Sequence, residues 1–217
     1  MKPTIIVICS LILLVAVSCK KKDENILISG LIQDPLKEEV VSGVRVILSG
    51  QIFESGTYNA TYTKLEEVIS GSDGKFSFDL ENQKIGNFKL SFFKDRYFES
   101  SSIFSSEDVV RGEDYYDVYP VYNQSVLILY IKNNWPQNSG DYMKYTIQGE
   151  MLICSLCCGN SDNEFNGTSI NLTRSCQIPG NQHIIIKRDV VKNENPTVHY
   201  DTLFIQAFDT TSLNIYY

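Results

Sequence analysis

The feature that most restricts this chain is a two-residue alternation of apolar and polar side chains, repeated in short runs from residue 26 onward. Phe76, Phe78 and Leu80 are separated by Ser77 and Asp79. Ile26, Ile28 and Leu31, then Val44, Val46 and Leu48, then Phe88, Leu90 and Phe92 keep nearly the same period. That period puts one face of a strand into a core and the other into water, whereas a helix would need its apolar residues three or four apart. Turn signals stand between the runs: Ser42-Gly43, Ser49-Gly50, Ser72-Asp73-Gly74 and Gly86-Asn87. Asp73-Gly74, set between two alternating runs, predicts a hairpin with a type I′ turn, whose central residues both need positive φ. The insert from Gln51 to Ile69 reads as an extra strand pair or a helical turn near Lys64–Val68.

A second composition begins near Tyr119-Pro120. Ser125 to Lys132 is almost continuously apolar and predicts a strand buried on both faces. Asn133 to Asp141 (NNWPQNSGD) is a polar loop, and Tyr142 to Gln148 alternates. Pro179-Gly180-Asn181 and Lys192 to Pro196 are turns. His183–Val191 reads as a strand or strand pair, and Thr197–Phe208 and Ser212–Tyr217 as strands. About seven short strands here suggest a second sandwich. The fold class expected is therefore all-β, with two tandem β-sandwich domains at 26–121 and 122–217.

The N-terminus carries targeting information. Met1-Lys2 precedes an apolar run from Ile5 to Val17, which is too short for a comfortable membrane span and fits a secretory leader. Ala16-Val17-Ser18-Cys19 resembles the lipobox of bacterial lipoproteins. The resemblance implies removal of residues 1–18, multiple acylation of Cys19, and a lipidated tether over 19–25. Lys22-Asp23-Glu24 is similar to the acidic display signal of Bacteroidetes lipoproteins. It implies the outer membrane as location, at the cell surface, with the periplasmic face as the alternative. Membrane lipid is then one partner.

The first half resembles the carboxypeptidase regulatory-like domain, a transthyretin-like β-sandwich. Gly30, Gly43-Val44-Arg45-Val46-Ile47-Leu48, Asp73-Gly74-Lys75-Phe76-Ser77-Phe78 and Tyr97 carry the likeness, in order. Ser70 or Ser72 stands where a Thr is commoner. The likeness spans roughly Ile26 to Tyr122, under half of the chain. It implies a non-catalytic accessory module and brings no active-site residues. The second half is more loosely similar to uncharacterised C-terminal domains of Bacteroidetes lipoproteins, which implies no activity.

Candidate chemistry is sparse. The formal net charge is −7, and no basic stripe exists to neutralise phosphates, so nucleic acid is not an expected partner. With Cys9 lost in the leader and Cys19 lipidated, Cys154, Cys157, Cys158 and Cys176 remain. An exported compartment is oxidising, so they are disulfide candidates with three possible pairings. Adjacent Cys157 and Cys158 would close a strained ring. The expected arrangement is Cys158–Cys176 with Cys154–Cys157.

Cys154-x-x-Cys157 has the spacing of a redox dithiol, but such a pair needs a helix N-terminus, and an all-β setting offers none. Joining Cys154, Cys157 and Cys176 to His183 as a zinc site fails on the spacing of the second pair. His199 and Asp201 share a strand face but lack an identifiable nucleophile. Asn160 to Glu164 lacks the spacing of an EF-hand calcium loop. No metal and no cofactor is expected.

Exposed aromatics are the better hint. Trp135 is the sole Trp and sits in a polar loop, and Tyr115, Tyr116, Tyr119 and Tyr122 crowd the domain boundary. Trp135, Tyr115 and Tyr116 are candidate contacts for a glycan or an outer-membrane protein. The function expected is non-catalytic binding, adhesion or accessory work at the envelope. Two alternatives stand beside it: an envelope enzyme, thiol redox or metal protein using Cys154-x-x-Cys157, and an accessory subunit of an uptake or assembly complex.

Overall fold

A computed structural model describes residues 25–54, 57–81, 83–150 and 163–217. Cys19, Cys154, Cys157, Cys158 and the leader lie outside the described residues. The chain is all-β, built as two tandem sandwiches with separate apolar cores.

The first sandwich opens with β1 (Ile26–Asp34), whose residues alternate between buried and half-buried without a break. Ile26, Ile28, Gly30, Ile32 and Asp34 take the inward phase, so Leu31 faces outward. β1 pairs antiparallel with β6 (Lys75–Leu80) and β2 (Glu39–Val40), and parallel with β9 (Asp114–Pro120). The facing sheet is centred on β3 (Arg45–Glu54) and β7 (Ile85–Phe93). It adds β4 (Thr57–Tyr58), β5 (Thr63–Ile69) and β8 (Ser100–Ser105). Phe76, Phe92 and Tyr119 fill the space between the sheets, with ring centroids 5.0 to 6.1 Å apart.

Gly30 is required by that packing. A Cβ there would lie 2.5 Å from Tyr119 Cε2 and 2.8 Å from the Asp117 backbone oxygen.

In the second sandwich β10 (Gln124–Lys132) lies between β13 (Asn171–Pro179) and β16 (Thr210–Tyr216). The other sheet runs β12 (Glu164–Asn166), β11 (Tyr142–Gly149), β14 (Gln182–Lys192), β15 (Asn195–Ile205). In each sandwich the first strand pairs in parallel with the last, β1 with β9 and β10 with β16. Sequence periodicity does not reveal that shared closure.

Several local expectations need correction. Asp73-Gly74 does not close a hairpin, because β5 pairs with β3 while β6 pairs with β1. The turn carries the chain from one sheet to the other. Gly74 alone has positive φ (74°), with Gly74 N–H bonded to Gly71 O, so the type I′ geometry fails at Asp73. The pair of consecutive positive φ values occurs instead at Asn193 and Glu194, joining β14 to β15.

Ser49-Gly50 and Gly86-Asn87 lie inside strands, and register shifts mark the β3 ladder at Leu48/Ser49 and at Gly50/Ile52. Glycine within a strand often marks such a bulge. Residues 64–68 belong to a strand, not a helical turn. β10 is buried on one face only: Leu127, Leu129 and Ile131 point inward, while Tyr130 is exposed.

The sandwiches meet end to end. Asp34, at the last inward position of β1, accepts from Asn123 Nδ2 at 2.9 Å and from the Leu36 N–H at 3.1 Å. Asn123 Oδ1 accepts from the Gly180 N–H at 3.0 Å. Asn181 Nδ2 donates to Leu36 O, and an Arg96 guanidinium nitrogen donates to Phe208 O. The Phe208 ring takes Tyr97 at 5.3 Å and the Arg96 guanidinium at 4.9 Å.

Candidate functional site

Strand direction decides what each end of the molecule presents. β1 runs toward the junction and β10 runs away from it. Ile26, the first residue of β1, is therefore at one end, and the 133–141 loop is at the other. Each of these nine-residue strands spans roughly 30 Å at about 3.3 Å per residue.

The far tip is a braced loop. Asp141 is fully buried, and its carboxylate accepts from Asn133 Nδ2 at 2.8 Å, the Gln137 N–H at 2.9 Å and Lys192 Nζ at 2.9 Å. Lys192 comes from the end of β14. It also donates to Asn133 Oδ1 and, at 3.2 Å, to the Trp135 carbonyl, so its three N–H donors meet three acceptors. The Lys192 ammonium sits 4.7 Å from the Tyr217 ring centroid, and the Asn134 N–H bonds to Tyr217 O at 3.0 Å.

The tip's electrostatics follow from these contacts. Burial pushes the Asp141 carboxyl up, but hydrogen bonds from Asn133, the Gln137 backbone, Lys192 and the Asn138 backbone outweigh it and hold it well below the usual carboxylate range. Tyr217 is pushed up to about 12 by burial and by the Asp141 charge.

Within this frame Trp135 stays 63% exposed, with its carbonyl held by Lys192 and its indole side chain open to solvent. A large aromatic plate on a fixed backbone loses little entropy when something docks against it. The arrangement suits recognition.

The other candidate contacts do not join it. Tyr115 and Tyr116 pair with Ile28 and Ser29 in the first sandwich, not at the boundary. Tyr115 stacks on Phe104 at 4.4 Å and is half-buried, whereas Tyr116 is exposed. Tyr119 is core.

Cys176 lies opposite Leu127 on β13 and is disulfide-bonded. The Asp201 carboxylate pairs with Arg188 at 2.7 Å, and His199 Nε2 lies 3.1 Å from Thr197 Oγ1. His183 packs on Phe204 at 5.0 Å. Among the described residues no three His, Cys, Asp or Glu side chains could hold a metal ion.

The sequence singles out Trp135 as an exposed aromatic and gives no sign of the side chains that brace its loop. Asp141 was visible as the end of an Asn/Gly-rich loop. Lys192, 51 residues later, carried no local signal.

No family model matches the chain. No curated protein matches it either. Among solved structures, the TIE protein of Bacillus anthracis is similar at 10% identity and TM-score 0.37, over 88% of this chain and 33% of that one. The chain thus spans a third of that protein. A double mutant of the shaft pilin SpaA from Lactobacillus rhamnosus GG aligns at 6% identity and TM-score 0.33, covering 90% of this chain and 98% of the other. A minor pilin of Streptococcus agalactiae aligns at 12% and 0.33, covering 89% and 94%. Likeness at this level concerns β architecture and carries nothing about activity.

Proposed function

We propose that this chain is an outer-membrane lipoprotein of a Bacteroidetes-type bacterium that holds a recognition tip away from its anchor. Cys19 is the acylated residue and residues 19–25 are the tether. The first sandwich is read as carboxypeptidase regulatory-like, a spacer without catalytic duty. The second carries the Trp135 loop toward a glycan or an outer-membrane protein at the cell surface. The observation that supports this reading is the placement of Trp135, exposed on a hydrogen-bonded loop, at the end opposite Ile26.

Fractionation of cells producing the full chain tests the anchor. The wild type is expected with membranes and Cys19→Ala in the soluble fraction. Equal membrane retention of both contradicts the reading. Trp135→Ala then tests the tip: it should leave the melting temperature within about a degree, as an exposed substitution does, while abolishing retention on envelope glycan or protein extracts that hold the wild type. Undiminished retention removes Trp135 from the site.

A further inference from the structure

β8 and β9 are edge strands of opposite sheets in the first sandwich. Between them opens a cleft of about 510 Å3, within the usual range for small-ligand sites. Ser100 Oγ donates to Pro120 O at 3.5 Å across it.

Phe92, Phe98, Tyr119 and Tyr122 supply ring surface, and Glu99 and Asp117 supply carboxylates. No Lys, Arg or His is among the described residues lining it. Tyr119 is 3% exposed, yet its hydroxyl is buried with no hydrogen-bond partner among the described residues. A buried hydroxyl left in that state is costly and calls for an explanation. Burial, then Tyr115 and Asp117, hold Tyr119 well above the usual phenol range, so it stays protonated and neutral.

We propose that this cleft binds a small organic cation, an amine carried on an apolar or aromatic body. The rings offer their negative faces to the cation and apolar contact to its body. Asp117 and Glu99 balance its charge and attract it from solution. Once the cation displaces the side chains that cover it, the Tyr119 hydroxyl oxygen accepts one of its N–H bonds. An anion would meet the Glu99 and Asp117 carboxylates with no cationic side chain among the lining residues to offset them, so the site discriminates by sign.

Titration of the full chain, followed by calorimetry, provides the test, with 2-phenylethylamine, 2-phenylethanol and phenylacetate as probes. The amine should saturate, and the alcohol and the acid should bind at least about tenfold more weakly. Asp117→Asn, at an exposed position, should weaken the amine about tenfold and remove its salt dependence in part. Tyr119→Phe, checked for unchanged secondary structure, should weaken it as well, and Trp135→Ala should leave it unchanged. Equal binding of all three probes, an amine affinity indifferent to Asp117→Asn, or no saturation by ~10 mM overturns the assignment.

Discussion

Asn123 Nδ2 donates to Asp34 Oδ2 at 2.9 Å across the boundary between the sandwiches, and both side chains are fully buried. Asn123 Oδ1 accepts the Gly180 N–H, so one residue ties β1 to the turn before β14. Asn123→Ala would leave the carboxylate and that N–H short of partners. The expected cost is about 2 to 3 kcal/mol in urea unfolding, from the burial of unpaired polar groups. An unchanged unfolding midpoint would remove this contact from the account of how the sandwiches are joined.

Gly30→Ala probes the first core. Its Cβ would meet Tyr119 Cε2 at 2.5 Å, and the ring has little room to yield because Phe92 and Phe76 hold it at 5.0 and 5.6 Å. Overpacking of this kind costs about 1 to 3 kcal/mol. A thermal melt should fall by several degrees, roughly 2 to 4 °C per kcal/mol for a chain of this size.

Acid should loosen the tip. The folded Asp141 carboxyl titrates below its unfolded counterpart, whose value is near 3.9. Its contribution is therefore fully present above about pH 5 and is lost progressively as pH falls through the unfolded value toward the lower folded one. Between about pH 5 and pH 3 the wild type should lose more thermal stability than Asp141→Asn. The variant should start lower at neutral pH, because Lys192 then lacks its counter-charge. Parallel pH profiles would contradict this role for Asp141.

The disulfide offers a covalent check. Cys176 is bonded, and Cys158 is its expected partner. Unreduced digestion followed by mass spectrometry should yield a peptide joining the 154–158 segment to Cys176. Cys176→Ser should cost roughly 3 kcal/mol in the chain-entropy account. A free Cys176 thiol contradicts the pairing.

Strands were legible because a sandwich strand has one wet face. The Lys75–Leu80 run shows this in the structure as strict alternation of exposed and buried residues. Turn chemistry was less legible. Asp-Gly specifies a bend but not which strands flank it, and here they belong to different sheets. The type I′ geometry falls on Asn193-Glu194, where Glu is an unusual choice and the long β14–β15 ladder imposes the conformation. Ser125–Lys132 looked buried on both faces because Val126, Ile128 and Tyr130 are apolar, yet that face is only half-covered. At the tip, Trp135 stood out by type. Lys192 did not, because a lone lysine near a turn is ordinary until the fold sets it beside Asp141.

Trp135 is the sole tryptophan, so its fluorescence reports the tip's height above a membrane. The protein would be extracted with its native N-terminus and reconstituted into vesicles whose lipids carry bromine on their acyl chains. On the proposed anchoring at Cys19, a tip at the end opposite Ile26 should show emission unaffected by the brominated lipid but strongly quenched by acrylamide, with the protein resisting salt washes. Strong quenching by the bromine, or loss of the protein from the vesicles on washing, would contradict the central claim.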